Sequence, residues 1–259
     1  MKRTAVAEIL ILVSITLLCG CNLVTTNTVL YKNMDFRSQN QRNRLPSKKT
    51  MGWLLNEIWN SGFLERSELI EREILNNQYG VFDKNMYVTH ASQRRACYIR
   101  EENAPDKVML HRRLFPHWKL LKKGGARFTK VDERIQATLV HELFHDFWYN
   151  ILDSERRCQF TIEAEAFLND LDGIKTGEDK ILLLRKMGVG NPSVEDFEPF
   201  EDIQEIRKKY GEHKFFGTEL FSVIADRAFS GEIIIPKQFR VFYENIVSEQ
   251  SLNGDAVGK

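Results

Sequence analysis

The stretch VDERIQATLVHELFHDFWYNIL, residues 131–152, carries most of the structural information in this sequence. Its apolar residues recur with the spacing of an α-helix. Thr129 followed by Asp132 resembles the capping box that begins such helices. Within the predicted helix lies His141-Glu142-Leu143-Phe144-His145, an H-E-x-x-H motif.

The motif places two histidines on one face of the helix. Side chains at positions i and i+4 have Cβ atoms about 6 Å apart, so His141 and His145 can bind a single zinc ion (Zn²⁺). Glu142 lies at the edge of that face, where it can accept a proton from water without being a ligand. The alternative is a helix with two hydrogen-bonded core histidines and a solvated glutamate. That alternative is costly among apolar neighbours, since each buried polar group needs a partner.

A catalytic zinc site usually has three protein ligands, so another side chain is required. Position 151 is Ile, which excludes the extended motif with a third histidine at that place. Three carboxylates remain as candidates: Glu163 and Glu165 on one later segment, and Glu219 much farther along. Of the near pair, Glu163 is favoured because Ala166, one turn on, would let its helix approach the metal.

The segment 209–246 resembles the catalytic domain of anthrax lethal factor and related zinc peptidases of the gluzincin type. The matching residues are Tyr210-Gly211, Glu219-Leu220-Phe221-Ser222 and Pro236-Lys237-Gln238-Phe239. The resemblance implies that Glu219 is the third ligand, and Glu163 remains the fallback from the residue pattern alone. It also implies that Tyr210 points its phenol at the oxyanion of the reaction. The sequence departs from the pattern in spacing, because Tyr210 is two residues farther from its glutamate.

The periodicity along the chain predicts an α+β fold. Helical spacing begins near Met51 and returns from Thr129 onward, whereas 86–91, 96–101 and 107–115 are short β-prone runs. We therefore expect a mainly helical domain over 51–250, with a small sheet beside the H-E-x-x-H helix, and the resemblance implies that this domain is zincin-like. The run 107–115 is predicted to be an edge strand that could pair with an extended peptide. Residues 251–259 are expected to fray.

The first residues predict a lipoprotein signal peptide, 1–21. The apolar run Ile9–Leu18 would rise about 15 Å as a helix, half of a bilayer core, so it suits an export signal better than a membrane span. Leu18-Cys19-Gly20-Cys21 resembles the bacterial lipobox, which implies that Cys21 is lipidated. We expect attachment to the bacterial cell envelope, at the outer membrane because Asn22 follows the cysteine. A polar tether, 22–50, would follow.

Composition limits the remaining possibilities. The chain has 259 residues with 37 basic and 36 acidic side chains, and a net charge of +1 gives no general attraction to nucleic acid. Four cysteines are too few for a disulfide scaffold. Cys97 and Cys158 lack metal-ligand spacing, and the sequence leaves open whether they pair.

These observations predict a membrane-anchored zinc endopeptidase acting on a peptide or protein substrate. Its zinc would be held by His141, His145 and Glu219, with Glu142 as general base. The alternative is a non-catalytic surface lipoprotein that binds an envelope or host partner and has a structural or decayed zinc site. Glu142 favours the enzyme, because a structural site needs no general base.

Overall fold

The computed structural model describes six stretches of the chain, and all structural statements below concern them. They are residues 48–83, 96–100, 102–111, 130–170, 176–187 and 215–254. This part is mostly helical with one small sheet, which confirms the predicted α+β class. Tyr210, Cys21, the predicted signal peptide and most of the predicted tether lie outside the described residues.

The helices and strands are short except for the H-E-x-x-H helix and its neighbours. In chain order they are α1 (Lys48–Asn60), α2 (Glu68–Asn76), β1 (Gln78–Asp83), β2 (Ala96–Ile99), β3 (Lys107–His111), α3 (Lys130–Asn150), α4 (Ser154–Asn169), α5 (Gly177–Met187), α6 (Phe215–Phe229), a 3₁₀ turn (Lys237–Phe239), α7 (Arg240–Tyr243) and α8 (Glu249–Asn253). Within the described stretches, no helix has the length and apolar character needed to cross a membrane.

The sheet has three described strands in the order β1-β3-β2. Strand β1 runs parallel to β3, and β2 runs antiparallel to it. The prediction that 107–115 forms an edge strand was therefore wrong for Lys107–His111, since β3 is the middle strand of the described sheet. The reason is β1, a strand that was not predicted and that pairs with β3 on the side away from β2. Strand β2 is an edge of the described sheet and packs against α3.

The core is built mainly from α3 and α6. Their contact is the most extensive between any two described helices, and it is filled by aromatic rings. Phe144 of α3 packs against Phe221 of α6 at a ring-centroid distance of 5.5 Å, and Tyr243 stacks on Phe221 at 4.5 Å. Phe160 of α4 also meets Phe221 at 5.5 Å. Because interiors pack as densely as organic crystals, this ring cluster fixes α6 relative to α3.

The predictions for the two ends of the domain compare differently with the structure. Helix α1 confirms the first helix, with Leu54 and Ile58 buried, and it begins at Lys48 rather than near Met51. The fraying expected over 251–259 was wrong for the first part of that range, because α8 extends to Asn253. Ser248 caps α8 by accepting a hydrogen bond from the Ser251 amide, and Leu252 is buried. One cap and one buried leucine are enough to order a single turn.

Both cysteines of the described domain are free thiols. Cys158 is buried in α4, and Cys97 is partly buried in β2. The two possibilities left open by the sequence are thus resolved in favour of separate thiols in this structure.

Candidate metal centre

Three side chains from two helices converge at one point. The Nε2 atoms of His141 and His145, on α3, lie 3.2 Å apart. Glu219, on α6, places Oε2 3.4 Å from Nε2 of His141 and Oε1 3.5 Å from Nε2 of His145. Within the described stretches, these residues form the only group of three potential ligands that could hold a metal ion.

The spacing of these atoms suits a tetrahedral metal ion. Zinc bonds of about 2.0–2.1 Å at tetrahedral angles require ligand atoms about 3.3 Å apart. All three closest separations are near that value. Each imidazole faces a different oxygen of Glu219, so the carboxylate could bind through one oxygen or both. His141 and Glu219 keep 16% and 15% of their side-chain surface exposed, which leaves the site accessible to a small molecule.

A second set of side chains orients the two imidazoles. Nδ1 of His141 lies 2.9 Å from Oδ2 of Asp226, and Nδ1 of His145 lies 2.8 Å from Oγ1 of Thr218. When each Nδ1 carries the proton and donates to its oxygen, both Nε2 atoms have a lone pair for a metal. Such outer partners fix the tautomer and the ring orientation of metal-binding histidines.

The same contacts change the protonation of His141. Burial lowers its pKa, but hydrogen bonds to Asp226 and Glu219 and the charge of Glu142 outweigh burial and raise the pKa to about 10. Without a metal ion, His141 is therefore protonated at neutral pH. A metal ion must displace that proton in order to bind.

Glu142 lies beside the three potential ligands without belonging to them. Its residue is only 5% exposed, and its charge is near enough to raise the pKa of His141. A buried carboxylate next to a metal site is suited to accept a proton, whereas a solvated one on an outer helix face would be too far away. This placement agrees with the role that the sequence motif predicts.

The two other candidate ligands, Glu163 and Glu165, are not brought to the histidines. Glu163 lies on α4, where its Oε1 accepts a hydrogen bond from Gln159 2.9 Å away. Glu165 is also on α4, partly exposed, and neither glutamate joins the metal-competent group within the described stretches. Tyr210, the predicted oxyanion partner, lies outside the described residues, so its position relative to the site stays a prediction.

Small residues on α6 let it lie close to α3 and α4. A Cβ atom on Gly217 would come within 3.0 Å of Oγ1 of Thr161 and within 3.3 Å of the Trp148 ring. Ser222, one turn after Glu219, is completely buried. Larger side chains at these positions would push α6 outward and separate Glu219 from the histidines.

Asp146, next to His145, anchors α3 to the sheet. It is fully buried and accepts hydrogen bonds from Tyr79 at 2.5 Å and Asn150 at 2.6 Å, and also from Asn77. Burial raises the pKa of Asp146 to about 6, although hydrogen bonds from Tyr79, Asn150 and Asn77 lower it. These donors make the burial of the carboxylate tolerable and fix the rotation of α3 about its axis.

The residues around the imidazoles and around Asp146 were not found from the sequence. Asp226 follows Glu219 by seven residues, two helical turns, so a search for polar residues on the same face could have found it. Thr218 had no comparable signal. Asp146 immediately follows the motif, but two of its partners, Asn77 and Tyr79, are distant in the chain, and local patterns do not connect them.

Comparisons with protein-family models, with curated proteins and with solved structures found no match to this chain.

Proposed function

We propose that this chain is a zinc-dependent endopeptidase. The observation that carries the proposal is the triangle of His141, His145 and Glu219, with Glu142 buried beside it. Two imidazoles and one carboxylate are a donor set typical of catalytic zinc, which keeps a further position for water or substrate. Nitrogen and oxygen donors alone do not identify the metal, so zinc is part of the proposal.

The chemistry assigned to each residue follows from its position. Bound zinc would supply a Lewis acid that polarises the peptide carbonyl and makes water a better nucleophile. Glu142 accepts the proton of the attacking water and then delivers it to the leaving amine. Asp226 and Thr218 hold the imidazoles of His141 and His145 in the productive orientation. The resemblance to lethal factor adds Tyr210 as a hydrogen-bond donor to the oxyanion, a contribution of about 3 kcal/mol in comparable sites.

The surroundings of the site support a zincin-like assignment of the gluzincin type. The motif helix α3 packs beside β2, an edge of the described sheet, and the third potential ligand comes from a later helix, α6. An extended peptide pairing with β2 would pass alongside α3, which suits an enzyme that cleaves within a chain.

We also propose that the enzyme is anchored to the bacterial cell envelope through lipid on Cys21, at the outer membrane. The support is the sequence alone, namely the apolar run followed by Leu18-Cys19-Gly20-Cys21. Lipid chains would hold the domain at a membrane surface without a spanning helix. Incorporation of labelled palmitate into the wild type, and its loss in Cys21→Ser, would be the expected result. Labelling that persists in Cys21→Ser would contradict the assignment.

The function can be tested by peptide cleavage. Full-length protein in detergent, loaded with zinc, should cleave internal bonds of peptides from a proteome digest, and a chelator should stop the reaction until zinc is restored. Glu142→Gln should lower kcat/KM by at least about 100-fold, within the range of general-base effects, while the protein keeps its zinc. Glu163→Gln, a carboxylate change on α4, is the matched control and should leave cleavage unchanged.

The opposite outcomes are equally informative. If the zinc-loaded wild type cleaves no peptide in the digest, the endopeptidase proposal is wrong, and the non-catalytic lipoprotein becomes the better interpretation. If Glu142→Gln cleaves as fast as the wild type, the proton is transferred by another group.

A further inference from the structure

An aromatic ladder extends from the candidate metal centre along β2. The ring of Tyr98, on β2, stacks on His145 at a centroid distance of 6.3 Å and on Tyr149 at 5.9 Å. Tyr149 is one helical turn after His145, and Arg100 is two residues after Tyr98. The Arg100 guanidinium carbon lies 5.0 Å from the centre of the Tyr149 ring.

Tyr149 joins this arginine to the metal centre. Burial raises the pKa of Tyr149, and the charge of Arg100 opposes that shift. The Tyr149 ring stacks on Tyr98, which in turn stacks on His145. Arg100 therefore lies over a ring that stacking connects to a potential metal ligand.

The guanidinium of Arg100 lies at the surface of the described structure. The residue is exposed, and its guanidinium lies over the Tyr149 ring. Arg157, by contrast, is buried and donates to the carbonyl oxygens of Trp148, Tyr149 and Leu152 at the end of α3. The first arginine can bind a partner, whereas the second is used within the fold.

Two acidic groups beside the ring stack are engaged within the described residues. Asp106 accepts hydrogen bonds from Tyr98 and, at 3.1 Å, from Asn150. Glu219 faces the two imidazoles. A carboxylate that approaches along β2 would meet the positive charge of the exposed Arg100 guanidinium.

We propose that Arg100, supported by Tyr149, forms a subsite for a carboxylate of the peptide substrate. This inference rests on the proposed endopeptidase function and assigns its substrate class, namely peptides with an acidic group near the scissile bond. A guanidinium binds a carboxylate through two parallel hydrogen bonds. An aromatic ring beneath the guanidinium holds its plane in one orientation. Less side-chain entropy is therefore lost when the carboxylate binds. The carboxylate could belong to an Asp or Glu side chain or to the free C-terminus.

The test uses the zinc-loaded full-length protein and a proteome-derived peptide library, from which cleavage positions are read by mass spectrometry. Selected Glu peptides and their Gln counterparts then give kcat/KM. The wild type should prefer Glu over Gln by about tenfold, as expected for one charged hydrogen-bonded pair. Arg100→Gln should abolish the preference for Glu over Gln peptides, and Arg100→Lys should retain part of it.

Arg66→Gln is the matched control. Arg66 is also exposed and lies over an aromatic ring, Trp59, at 5.9 Å, but has no recorded contact with the metal centre. Its variant should keep the wild-type preference. Peptides with free and amidated C-termini distinguish the two sources of the carboxylate. Acidic residues at one fixed position from the cut indicate a side chain, whereas cuts at a fixed distance from a free C-terminus indicate the terminal group.

The outcomes separate this inference from the function on which it rests. Cleavage by the wild type without preference for any carboxylate would overturn the subsite and leave the endopeptidase intact. A preference that survives in Arg100→Gln would assign it to another residue and also overturn the subsite. Absence of cleavage from every peptide would overturn the endopeptidase proposal, and the subsite with it.

Discussion

Asp226 places its Oδ2 atom 2.9 Å from Nδ1 of His141, and it does so from the helix that also carries Glu219. Helix α6 thus supplies both the third potential ligand and the partner of an imidazole on α3. Thr218 on the same helix orients the other imidazole. The geometry of the candidate metal centre therefore depends on how closely α6 packs against α3, and most of the following predictions test that dependence.

Removal of the Thr218 hydroxyl should weaken metal binding without a large loss of stability. Thr218→Val keeps the shape but leaves Nδ1 of His145 without its acceptor, so we expect zinc affinity to fall by about 10- to 100-fold. Competition with a chromophoric chelator measures the change. Thr161→Val is the control, because Thr161 is also buried but bonds only to the Arg157 carbonyl. Equal losses of affinity in both variants would contradict a specific role for Thr218.

Metal binding should depend steeply on pH because of His141. Its pKa in the metal-free protein is about 10, against 6.5 when unperturbed. Zinc must displace that proton, so apparent affinity should rise about tenfold per pH unit from about pH 7 to 9. Calorimetry in buffers of different ionisation enthalpy should show about one proton released from this group at pH 7. Asp226→Asn should reduce the release, and a pH-independent affinity would contradict the assignment.

The same raised pKa has a consequence for the metal-free fold. A basic group whose folded pKa exceeds its unfolded value stabilises the protein fully below the unfolded pKa. For His141 that stabilisation is present below pH 6.5 and is lost as the pH rises through about 10. Urea unfolding of the chelated protein across this range should show the decline, and Asp226→Asn should make it smaller.

Gly217→Ala should affect the metal centre through helix packing. The added methyl group would meet Thr161 and Trp148 at 3.0–3.3 Å, so these buried side chains or α6 must give by a few tenths of an ångström, at a cost of about 1–3 kcal/mol. Zinc affinity should fall together with stability. Gly231→Ala is the control, since Gly231 has φ +72° and open space around it. Gly231→Ala should lower the free energy of unfolding by about 1 kcal/mol and leave zinc affinity unchanged. A loss of zinc affinity in Gly231→Ala similar to that in Gly217→Ala would contradict the packing argument.

Tyr79→Phe should destabilise the protein in a pH-dependent way. The pKa of Asp146 is raised from 3.8 to about 6, so ionising the buried carboxylate costs folding free energy that accumulates between these two pH values and is complete above about pH 6. The Tyr79 hydroxyl reduces this cost. We expect Tyr79→Phe to lower the free energy of unfolding by about 2 kcal/mol at pH 8 and by about 1 kcal/mol at pH 4.5. The control is Tyr243→Phe, which removes a hydrogen bond to the Phe221 carbonyl. It should lower the free energy of unfolding by about 1 kcal/mol at both pH values. Urea unfolding measures these values, and a pH-independent loss in Tyr79→Phe would contradict the argument.

The local patterns predicted the helices better than the sheet. The spacing around His141 and His145 predicted α3 because one continuous periodic segment contains the whole signal. The role of β3 as a middle strand depends on its pairing with β1, whose partner residues are distant in the chain. A single sequence contains no direct record of such pairing.

In the candidate site, too, the residues that lie close together in the chain were predicted from their spacing, whereas those that meet through contacts between elements were not. The H-E-x-x-H spacing predicted two potential ligands and a candidate general base beside them, since all three lie within five consecutive residues. Choosing Glu219 over Glu163 needed the resemblance, because both lie on helices next to small residues. Thr218 and Asp226 contact the imidazoles across the packing of α6 on α3. Only Asp226, on the same helix face as Glu219, had a signal in the helical period.

The most direct test of the account is the zinc content of four proteins at equal free zinc. Full-length wild type, Glu142→Gln, Glu163→Gln and Glu219→Gln would be dialysed to equilibrium and analysed for bound metal. The account predicts one zinc per chain in the first three, and affinity at least about 100-fold weaker in Glu219→Gln because one of three ligands is lost. Full zinc binding by Glu219→Gln, or its loss in Glu163→Gln, would contradict the metal centre described above.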